Sequence, residues 1–458
     1  MPNDRSRKPS TRLGVEVLED RTVPTTFGAN RGLSLAVGDV IPGGTAYEYV
    51  TGSGPGRQGL VQVFDANGNL KQQFVPFPGH TGGVNVAVGE VTGNATSRVE
   101  LLNPGGATYA ANGLTTLKTY FPHGFSVGQT VRINIPGAAG AFYNGDFTIT
   151  KVNSTTSFEY FNFIRPAMAP ATAAGGTASV YQKDIIVSTG TGSTGRVAVY
   201  EYIGNQLRLK STFAPFGPNY KGGIQITTGD VTGDFHKEII VGRQTGGSNV
   251  KVYGVVPGTG GSGYVALRAF LAFAPAYTGG VTLAATNIDA TTNDPLGGDP
   301  YDYNYAEIVV GRAQGAPQLA IFDAQQAPVF ARARYFAFNQ NIRNGINVAA
   351  GDTDGIRGGD IYVSLKNSTN VTVISGQTGV PVGSFSVPYA ATYGRNLDIA
   401  INDLGDRPGP DGNDFGSYAS LVSDLFVVAS DGPFTQVPII FRGRFSSPAG
   451  LNGSRSAP

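Results

Sequence analysis

The segment from residue 229 to residue 242, GDVTGDFHKEIIVG, concentrates charge in a chain of which only 14% of the residues are charged. Three acids, Asp230, Asp234 and Glu238, recur at intervals of four beside Thr232, just before a run of branched aliphatic residues. Carboxylate and hydroxyl oxygens on a tight turn suit a hard cation such as Ca²⁺. The alternative is a metal-free turn, because Asp, Asn and Gly stabilise tight turns unaided.

Catalytic side chains are scarce by comparison. The chain has no cysteine, which removes disulfides, thiolate zinc sites and cysteine nucleophiles. Its three histidines, His80, His123 and His236, stand far apart without a local partner pattern, and His123 in its HGFS turn is expected to make a structural hydrogen bond. A loop surrounded by acids offers no evident nucleophile or base. We therefore predict that any metal is structural and that the protein is not an enzyme.

Composition narrows the class of protein and of partner. Among 458 residues there are 66 Gly, 28 Pro, 26 Phe and 21 Tyr, which favours an all-β protein of many short strands. Lys and Arg number 33 against 32 Asp and Glu, so no bulk field favours a nucleic-acid partner. No stretch approaches the roughly 18 apolar residues of a membrane helix, so no transmembrane segment is predicted.

Six internal repeats position the acidic segment. The strands that end at it and at its counterparts read LAVGDV, VAVGEV, ITTGDV, LAATNI, VAAGDT and IAINDL. A Gly-rich or polar turn precedes most of them, and an aromatic pair such as Phe213 and Phe216 lies further upstream. Apolar runs such as EIIVG and NVKVYG follow. One repeat is therefore four short strands with turn residues between them.

The spacing of the repeats predicts the architecture. Their anchors at residues 39, 90, 230, 287, 352 and 402 are separated by 51, 140, 57, 65 and 50 residues. Four strands in roughly fifty to sixty residues are typical of a β-propeller blade. We predict a β-propeller of about six four-stranded blades, with seven as the alternative. The aromatic pairs are expected to pack between neighbouring blades.

The long second interval predicts an insertion. Removing residues 98–183, which are 86 residues, leaves 140 − 86 = 54 and restores the period. The removed piece alternates apolar and polar residues around Gly and Asn turns, so we predict a small β-sandwich or barrel within the second blade. Its pattern HGFSVGQTVRI, YNGDFTI and TTSFEY resembles a module of phage tail and bacterial surface proteins. The predicted divisions are 1–24 (disordered), 25–97 (propeller), 98–183 (inserted module), 184–446 (propeller) and 447–458 (disordered). Residues 25–29 are expected to complete the last blade.

The repeat unit GDVTGD followed by EIIVG is similar to the FG-GAP repeat, also called the integrin-alpha or VCBS-type repeat. The resemblance covers roughly residues 30–97 and 184–445. In that family the loop between the first two strands of a blade binds calcium through side chains at positions one, three, five and nine and a carbonyl at position seven. The resemblance implies that Asp230, Thr232, Asp234 and Glu238, with the carbonyl of His236, bind Ca²⁺ here.

The same register implies further calcium ligands in other loops. They are Glu90, Asn94 and Asp184 in the second loop, Asp352, Asp354 and Asp360 in the fifth, and Asp403 and Asp424 in the sixth. In the second loop Arg98 takes position nine unless residues 98–183 are skipped, which brings Asp184 there. Ile356 stands in the fifth loop where an oxygen donor is expected. The first loop, between Asp39 and Glu48, has Ile41 at position three and is predicted not to bind.

The N-terminus bears on location. The segment RLGVEVLEDRTVP resembles the N-terminal segment of many large planctomycete surface or exported proteins, although the apolar region of a secretory signal is missing. We therefore expect an extracellular, cell-surface or periplasmic protein.

Three functions remain open at this point. The first is a calcium-stabilised binding or adhesion module for a protein or glycan. The second is a passive structural or coat component. The third and least supported is a polysaccharide lyase or hydrolase, which would need a carboxylate pair or a Tyr/Arg/His cluster at the channel mouth.

Overall fold

The computed structural model describes most of the chain between residues 33 and 441. The described ranges are 33–42, 47–110, 113–127, 129–137, 143–161, 172–173, 175–203, 206–234, 236–288, 305–325, 329–351, 359–376, 378–386, 397–402, 424–429 and 439–441. Every element in these ranges is a β-strand. The prediction of an all-β protein is confirmed.

The first sheet is an antiparallel meander at the start of the described chain. Its strands are β1 (Leu33–Gly38), β2 (Glu48–Ser53), β3 (Val61–Asp65) and β4 (Leu70–Phe74), paired in that order. Strand β5 (Val84–Gly89) then opens a second sheet. The chain leaves that sheet before completing it.

The eight-stranded unit follows β5. Its strands are β6 (Ala95–Glu100), β7 (Ala107–Tyr109), β8 (Leu114–Lys118), β9 (Thr130–Asn134), β10 (Gly145–Ser154), β11 (Ser157–Phe161), β12 (Thr172–Ala173) and β13 (Thr177–Tyr181). They form one sheet in the order β12-β7-β8-β11-β10-β9-β13-β6. The unit has its own core, in which Tyr143, Phe158 and Tyr160 are completely buried.

The remaining strands complete the second sheet and build four more. Strands β14 (Asp184–Thr189), β15 (Val197–Ile203) and β16 (Gln206–Phe213) join β5, and Asp184 lies opposite Gly89. The third sheet is β17 (Ile224–Gly229), β18 (Glu238–Arg243), β19 (Asn249–Val255) and β20 (Tyr264–Leu271). The fourth is β21 (Val281–Thr286), β22 (Glu307–Arg312), β23 (Gln318–Asp323) and β24 (Phe330–Phe336). The fifth is β25 (Ile346–Gly351), β26 (Asp360–Leu365), β27 (Asn370–Ile374) and β28 (Pro381–Ser386), and the sixth contains β29 (Leu397–Asn402), β30 (Asp424–Ala429) and β31 (Ile439–Phe441).

The first strands of these six sheets form a closed ring. Contacts run from β1 to β5, β17, β21, β25 and β29 in turn, and β29 contacts β1. The ring surrounds a cavity of about 190 Å³. The second strands, such as β22, are buried on both faces, which accounts for their unbroken apolar sequences. The arrangement is propeller-like.

Aromatic side chains pack between neighbouring sheets. In each case an aromatic residue of a fourth strand meets one on the third strand of the next sheet. The pairs are Phe74–Tyr200, Phe213–Tyr253 and Phe270–Phe322, with ring centroids 4.6, 4.8 and 4.7 Å apart. This is the wedge position predicted from the sequence.

A glycine precedes four of the first strands. These residues are Gly83, Gly223, Gly280 and Gly345, with φ angles of 81°, 79°, 81° and 72°. Only glycine adopts such angles without strain. At Gly280 a Cβ atom would also lie 1.8 Å from the carbonyl oxygen of Gln244, so this position excludes any side chain.

Candidate metal centre

The third loop, between β17 and β18, brings three carboxylates together. Asp230, Asp234 and Glu238 each offer an oxygen, and these oxygens all lie within 4.8 Å of one another. Asp234 is exposed and Glu238 is buried. Within the described ranges this is the one group of three or more His, Asp or Glu side chains arranged in this way. The structure thus brings together three of the residues assigned to calcium in this loop.

Glu238 folds the loop through hydrogen bonds. Its Oε2 accepts the backbone N–H of Val231 at 2.8 Å and that of Thr232 at 3.2 Å. Its Oε1 accepts the hydroxyl proton of Thr232 at 3.0 Å. The Thr232 oxygen keeps lone pairs that could face a cation, so this contact leaves its assigned role open.

The two aspartates cap the turn in the same way. Asp230 Oδ1 accepts the N–H of Gly233 at 2.6 Å, and Asp234 Oδ1 accepts the N–H of His236 at 2.9 Å. These are Asx-type contacts, which the metal-free interpretation also predicts. The loop geometry alone therefore does not separate the two interpretations.

Charge does favour a cation. The pKa of Glu238 is raised to about 8, mainly by burial and in addition by the negative charges of Asp230 and Asp234, while the hydrogen bond from Val231 acts in the opposite direction. Three carboxylates in so small a space resist simultaneous ionisation unless a positive charge joins them. The donor set, all oxygen and rich in carboxylate, is the chemistry that Ca²⁺ prefers. The third loop fits the ion.

In the first, second and fourth sheets the acid that begins the second strand has a structural role of its own. Like Glu238, it accepts a backbone N–H from the loop that follows the first strand of its sheet. The pairs are Val40 to Glu48 at 2.9 Å, Val91 to Asp184 at 2.9 Å and Ile288 to Glu307 at 2.8 Å. This role was missed in the sequence. The sequence did contain a signal for it: the first sheet keeps an acid, Glu48, at the start of its second strand even though Ile41 removes a calcium ligand from the preceding loop.

The second loop has the same hydrogen bonds as the third loop, although the eight-stranded unit is inserted within it. Gly93 donates its N–H to Glu90 Oε1 at 2.7 Å, as Gly233 does to Asp230. Asp184, 93 residues beyond Val91, accepts the N–H groups of Val91 and Thr92. Burial raises the pKa of Asp184 well above its usual range. The acid that precedes the unit and the acid that follows it thus close one loop.

The remaining candidates of the second loop are engaged elsewhere. The Asn94 amide donates to both carboxylate oxygens of Glu201, at 3.1 and 3.2 Å. Glu90 Oε2 lies 2.7 Å from Nδ1 of His236, and this hydrogen bond raises the pKa of the histidine. Among the described residues, Glu90 and Asp184 therefore belong to no group of three His, Asp or Glu side chains like that of the third loop, and Asn94 contacts Glu201 instead.

Arg132 connects the eight-stranded unit to this point. Its Nη1 lies 3.2 Å from Nε2 of His236, and its Nη2 lies 3.6 Å from Glu90 Oε2. The guanidinium also stacks on Tyr181, 4.4 Å from the ring centroid. His236 belongs to the third loop and Glu90 to the second. The cluster therefore joins the unit to two neighbouring loops at once.

Other candidates can be placed only in part. Asp360 is buried at the start of β26, and Asp424 begins β30. Asp352, Asp354 and Asp403 lie outside the described residues. The predicted tails 1–24 and 447–458 and the ring-closing residues 25–29 lie outside them as well.

The 1–2 loops, each joining the first and second strands of a sheet, lie on one face of the ring. The carbonyl at position one of a loop accepts the N–H of the residue that precedes the second strand of the next sheet. The pairs are Lys183 to Asp39 at 3.3 Å, Lys237 to Glu90 at 2.9 Å, Ala306 to Asp230 at 2.6 Å and Gly359 to Asn287 at 2.7 Å. Equivalent ends of neighbouring sheets are therefore adjacent. The 2–3 turns join the second and third strands of a sheet, and the 4–1 connections join the fourth strand of one sheet to the first strand of the next. Both lie at the opposite end of the strands and so form the opposite face of the ring.

The histidines make structural contacts. His80 Nε2 lies 2.8 Å from the carbonyl of Gly83, and Ser193 Oγ lies 2.6 Å from its Nδ1. Tyr220 holds the equivalent place before β17, with its hydroxyl 2.8 Å from the carbonyls of Gly223 and Thr245. The Ser–His pair thus replaces a tyrosine that fastens a turn. His123 Nδ1 accepts the N–H of Phe125 at 2.9 Å, in keeping with its predicted structural role.

Comparison with known proteins finds similarity to solved structures only. No protein-family model and no curated protein matches the chain. Among solved structures, the chain is similar to Sqt1 from Chaetomium thermophilum, with a TM-score of 0.39, 11% identity and coverage of 94% of this chain and 88% of that one. For Sqt1 from Saccharomyces cerevisiae the TM-score is 0.32, with 10% identity and coverage of 90% and 100%. Similarity at such low TM-scores assigns no function to this chain.

A search of the described residues for membrane spans finds no helix long and apolar enough to cross a membrane.

Proposed function

We propose that this chain is a six-bladed propeller of the FG-GAP type that acts as a calcium-stabilised binding module for a protein or glycan outside the cell. The observation that carries the proposal is the three-carboxylate group of Asp230, Asp234 and Glu238. It occurs in the loop that most resembles the family's calcium loop. The closed ring of first strands supports the blade number.

Calcium would be held by these three carboxylates and the Thr232 hydroxyl. When bound, the ion supplies positive charge that allows all three acids to ionise and ties the end of β17 to the start of β18. The chain's own hydrogen bonds, from Val231 and Thr232 to Glu238, preform the turn. The ion's role is structural, because it joins two strand ends and because His236, in the same loop, is already bonded to Glu90.

Binding rather than catalysis fits the other polar clusters. The Ser193–His80 pair replaces a structural tyrosine, and the Glu90–His236–Arg132 cluster joins two parts of the fold. The eight-stranded unit leaves the 1–2 loop face through the second loop. The unit therefore lies beside the ring, where its surface is placed to bind a partner.

The experiment is a calcium titration of the full chain by calorimetry, together with capture of cell-envelope proteins and glycans in calcium and in chelator. We expect one site whose affinity falls in Asp234→Asn, because the substitution keeps an oxygen donor but removes one of the three carboxylate charges. Asp39→Asn is the matched control, because it removes one acid from the 1–2 loop predicted not to bind. Equal calcium binding by wild type and Asp234→Asn, or identical capture in calcium and chelator, would contradict the proposal.

A further inference from the structure

The face of the ring opposite the calcium loop is strongly basic. It consists of the 2–3 turns and 4–1 connections, and the described ones contain no Asp or Glu. Four exposed cations, Arg57, Arg196, Lys221 and Arg343, lie in these segments. The chain as a whole has a formal net charge of only +1. The charge is therefore separated between the two faces, with the acids concentrated at the 1–2 loops.

Two half-buried arginines on this face are held in equivalent positions. Arg243 ends β18 and stacks on Tyr220, with its Cζ 4.8 Å from the ring centroid. Arg312 ends β22 and stacks on Tyr277 at 4.5 Å. Stacking on an aromatic ring fixes the plane of a guanidinium without using its N–H donors, which stay available for hydrogen bonds.

The donors of these arginines are incompletely used. Nε of both residues is buried without an acceptor in the described part of the chain. Arg243 Nη1 donates to the Gly246 carbonyl at 3.1 Å, whereas the Arg312 side chain has no hydrogen bond or ion pair among the described residues. A planar guanidinium fork suits a carboxylate, which accepts two parallel hydrogen bonds.

The rest of the face argues against a protein partner. Interface centres are normally built from exposed aromatic and aliphatic anchors. Here the described connections expose one large apolar side chain, Val75, and the ends of two fourth strands expose Leu271 and Phe336, so each of three sheets contributes a single such residue to this face. Glycine-rich turns and repeated cations instead suit a hydrated, repeating anion. A stiff polymer also loses less conformational entropy on binding than a flexible acidic peptide of equal charge.

We infer that this basic face binds an acidic polysaccharide through its carboxylate groups, with Arg243 and Arg312 as paired forks and Lys221 and Arg343 as flanking charges. The inference deepens the proposed binding function and rests on it for the ligand class only. It does not require that the calcium loop be occupied.

The test measures binding of polygalacturonate oligomers of defined length to the full chain. Neutral dextran and polyglutamate of matched charge serve as comparison probes. We expect polygalacturonate to bind more tightly than both, and to lose affinity steeply between about 50 mM and about 300 mM salt.

Variants locate the site. Lys221→Gln with Arg343→Gln removes two exposed cations and should weaken binding by about tenfold, because each exposed ion pair contributes up to about a factor of five. Arg243→Lys with Arg312→Lys keeps the charge but removes the planar forks, and should also weaken binding. The matched control, Lys151→Gln with Arg208→Gln, removes two exposed cations from the eight-stranded unit and a fourth strand, and should bind as wild type.

The outcomes are distinct. Equal weakening in the control pair, or no binding of polygalacturonate, would overturn the inference. Polyglutamate binding as tightly as polygalacturonate would overturn the assignment to a polysaccharide. Failure of the calcium proposal would instead appear as an absent calcium site in calorimetry, whatever the oligomers do.

Discussion

The carboxylate of Asp398 accepts the backbone N–H of Leu35 at 2.8 Å, although the two residues are 363 positions apart. Asp398 is the second residue of β29, and Leu35 lies on β1. The bond therefore joins the sixth sheet to the first across the point where the ring closes. Equivalent contacts join the other first strands around the central cavity, which we call the channel, and together they form the channel belt.

The belt uses the second residue of each first strand. Ser34, Asn85, Gln225, Thr282, Asn347 and Asp398 hold this position and all line the channel. Five of the six bond to the next first strand, and their partners are Val86 N, Ile224 O, Ile346 O, Leu397 O and Leu35 N. Each of these side chains therefore satisfies a backbone group that the next first strand presents to the channel.

Replacing Asp398 by Asn should stabilise the protein at neutral pH. Burial raises the pKa of Asp398 to about 6, above its unfolded value of 3.8. Its ionised form therefore costs stability, and this cost grows as pH rises from about 4 to about 6. We expect Asp398→Asn to raise the free energy of unfolding at pH 7 by up to about 3 kcal/mol, with no gain at pH 4. Denaturant unfolding at the two pH values measures this, and an equal difference at both would contradict the assigned pKa.

Substitution of Gly280 by Ala should destabilise the protein far more than substitution of Gly79 by Ala. Both residues have φ near 80°, but a Cβ at Gly79 has no atom within 4 Å, whereas at Gly280 it would lie 1.8 Å from Gln244 O. We expect losses of about 1 kcal/mol for Gly79→Ala from φ alone and about 3 kcal/mol or more for Gly280→Ala, where overpacking adds to strain. Thermal unfolding of both variants measures the difference. Equal losses would show that the turn before β21 is looser than described.

Removal of the eight-stranded unit should leave the ring folded if the chain is joined from Asn94 to Gln182. Strand β6 begins at Ala95, before the residue 98 boundary predicted from the sequence, and pairs with β13 in the unit. Gln182 and Lys183, by contrast, bond to Asp39 of the first loop. We expect this deletion to melt cooperatively, and at a higher temperature than a deletion of 98–183, which removes both contacts. An aggregated or molten product from the first deletion would show that the unit is part of the ring's core.

The sequence predicts the repeating sheets well because most repeats carry their own turn glycine, aromatic wedge and acid. The sequence also predicts that Glu90 and Asp184 belong to the same loop, because omitting the inserted residues restores the loop pattern. The Arg132–His236 contact could not be predicted, since it joins residues 104 positions apart in different sheets. The channel belt could have been noticed, because a polar residue recurs at the second position of every first strand.

The most direct test of the proposed calcium loop is the melting temperature in excess calcium and in excess chelator, measured for wild type and for Asp234→Asn. A ligand that binds only the folded state stabilises it by mass action, so wild type should melt several degrees higher in calcium. Asp234→Asn, which removes one carboxylate charge from an exposed ligand without touching the buried Glu238 hydrogen bonds, should lose part of that difference. Identical wild-type melts in calcium and in chelator would contradict the assignment of Asp230, Asp234 and Glu238 to a calcium site.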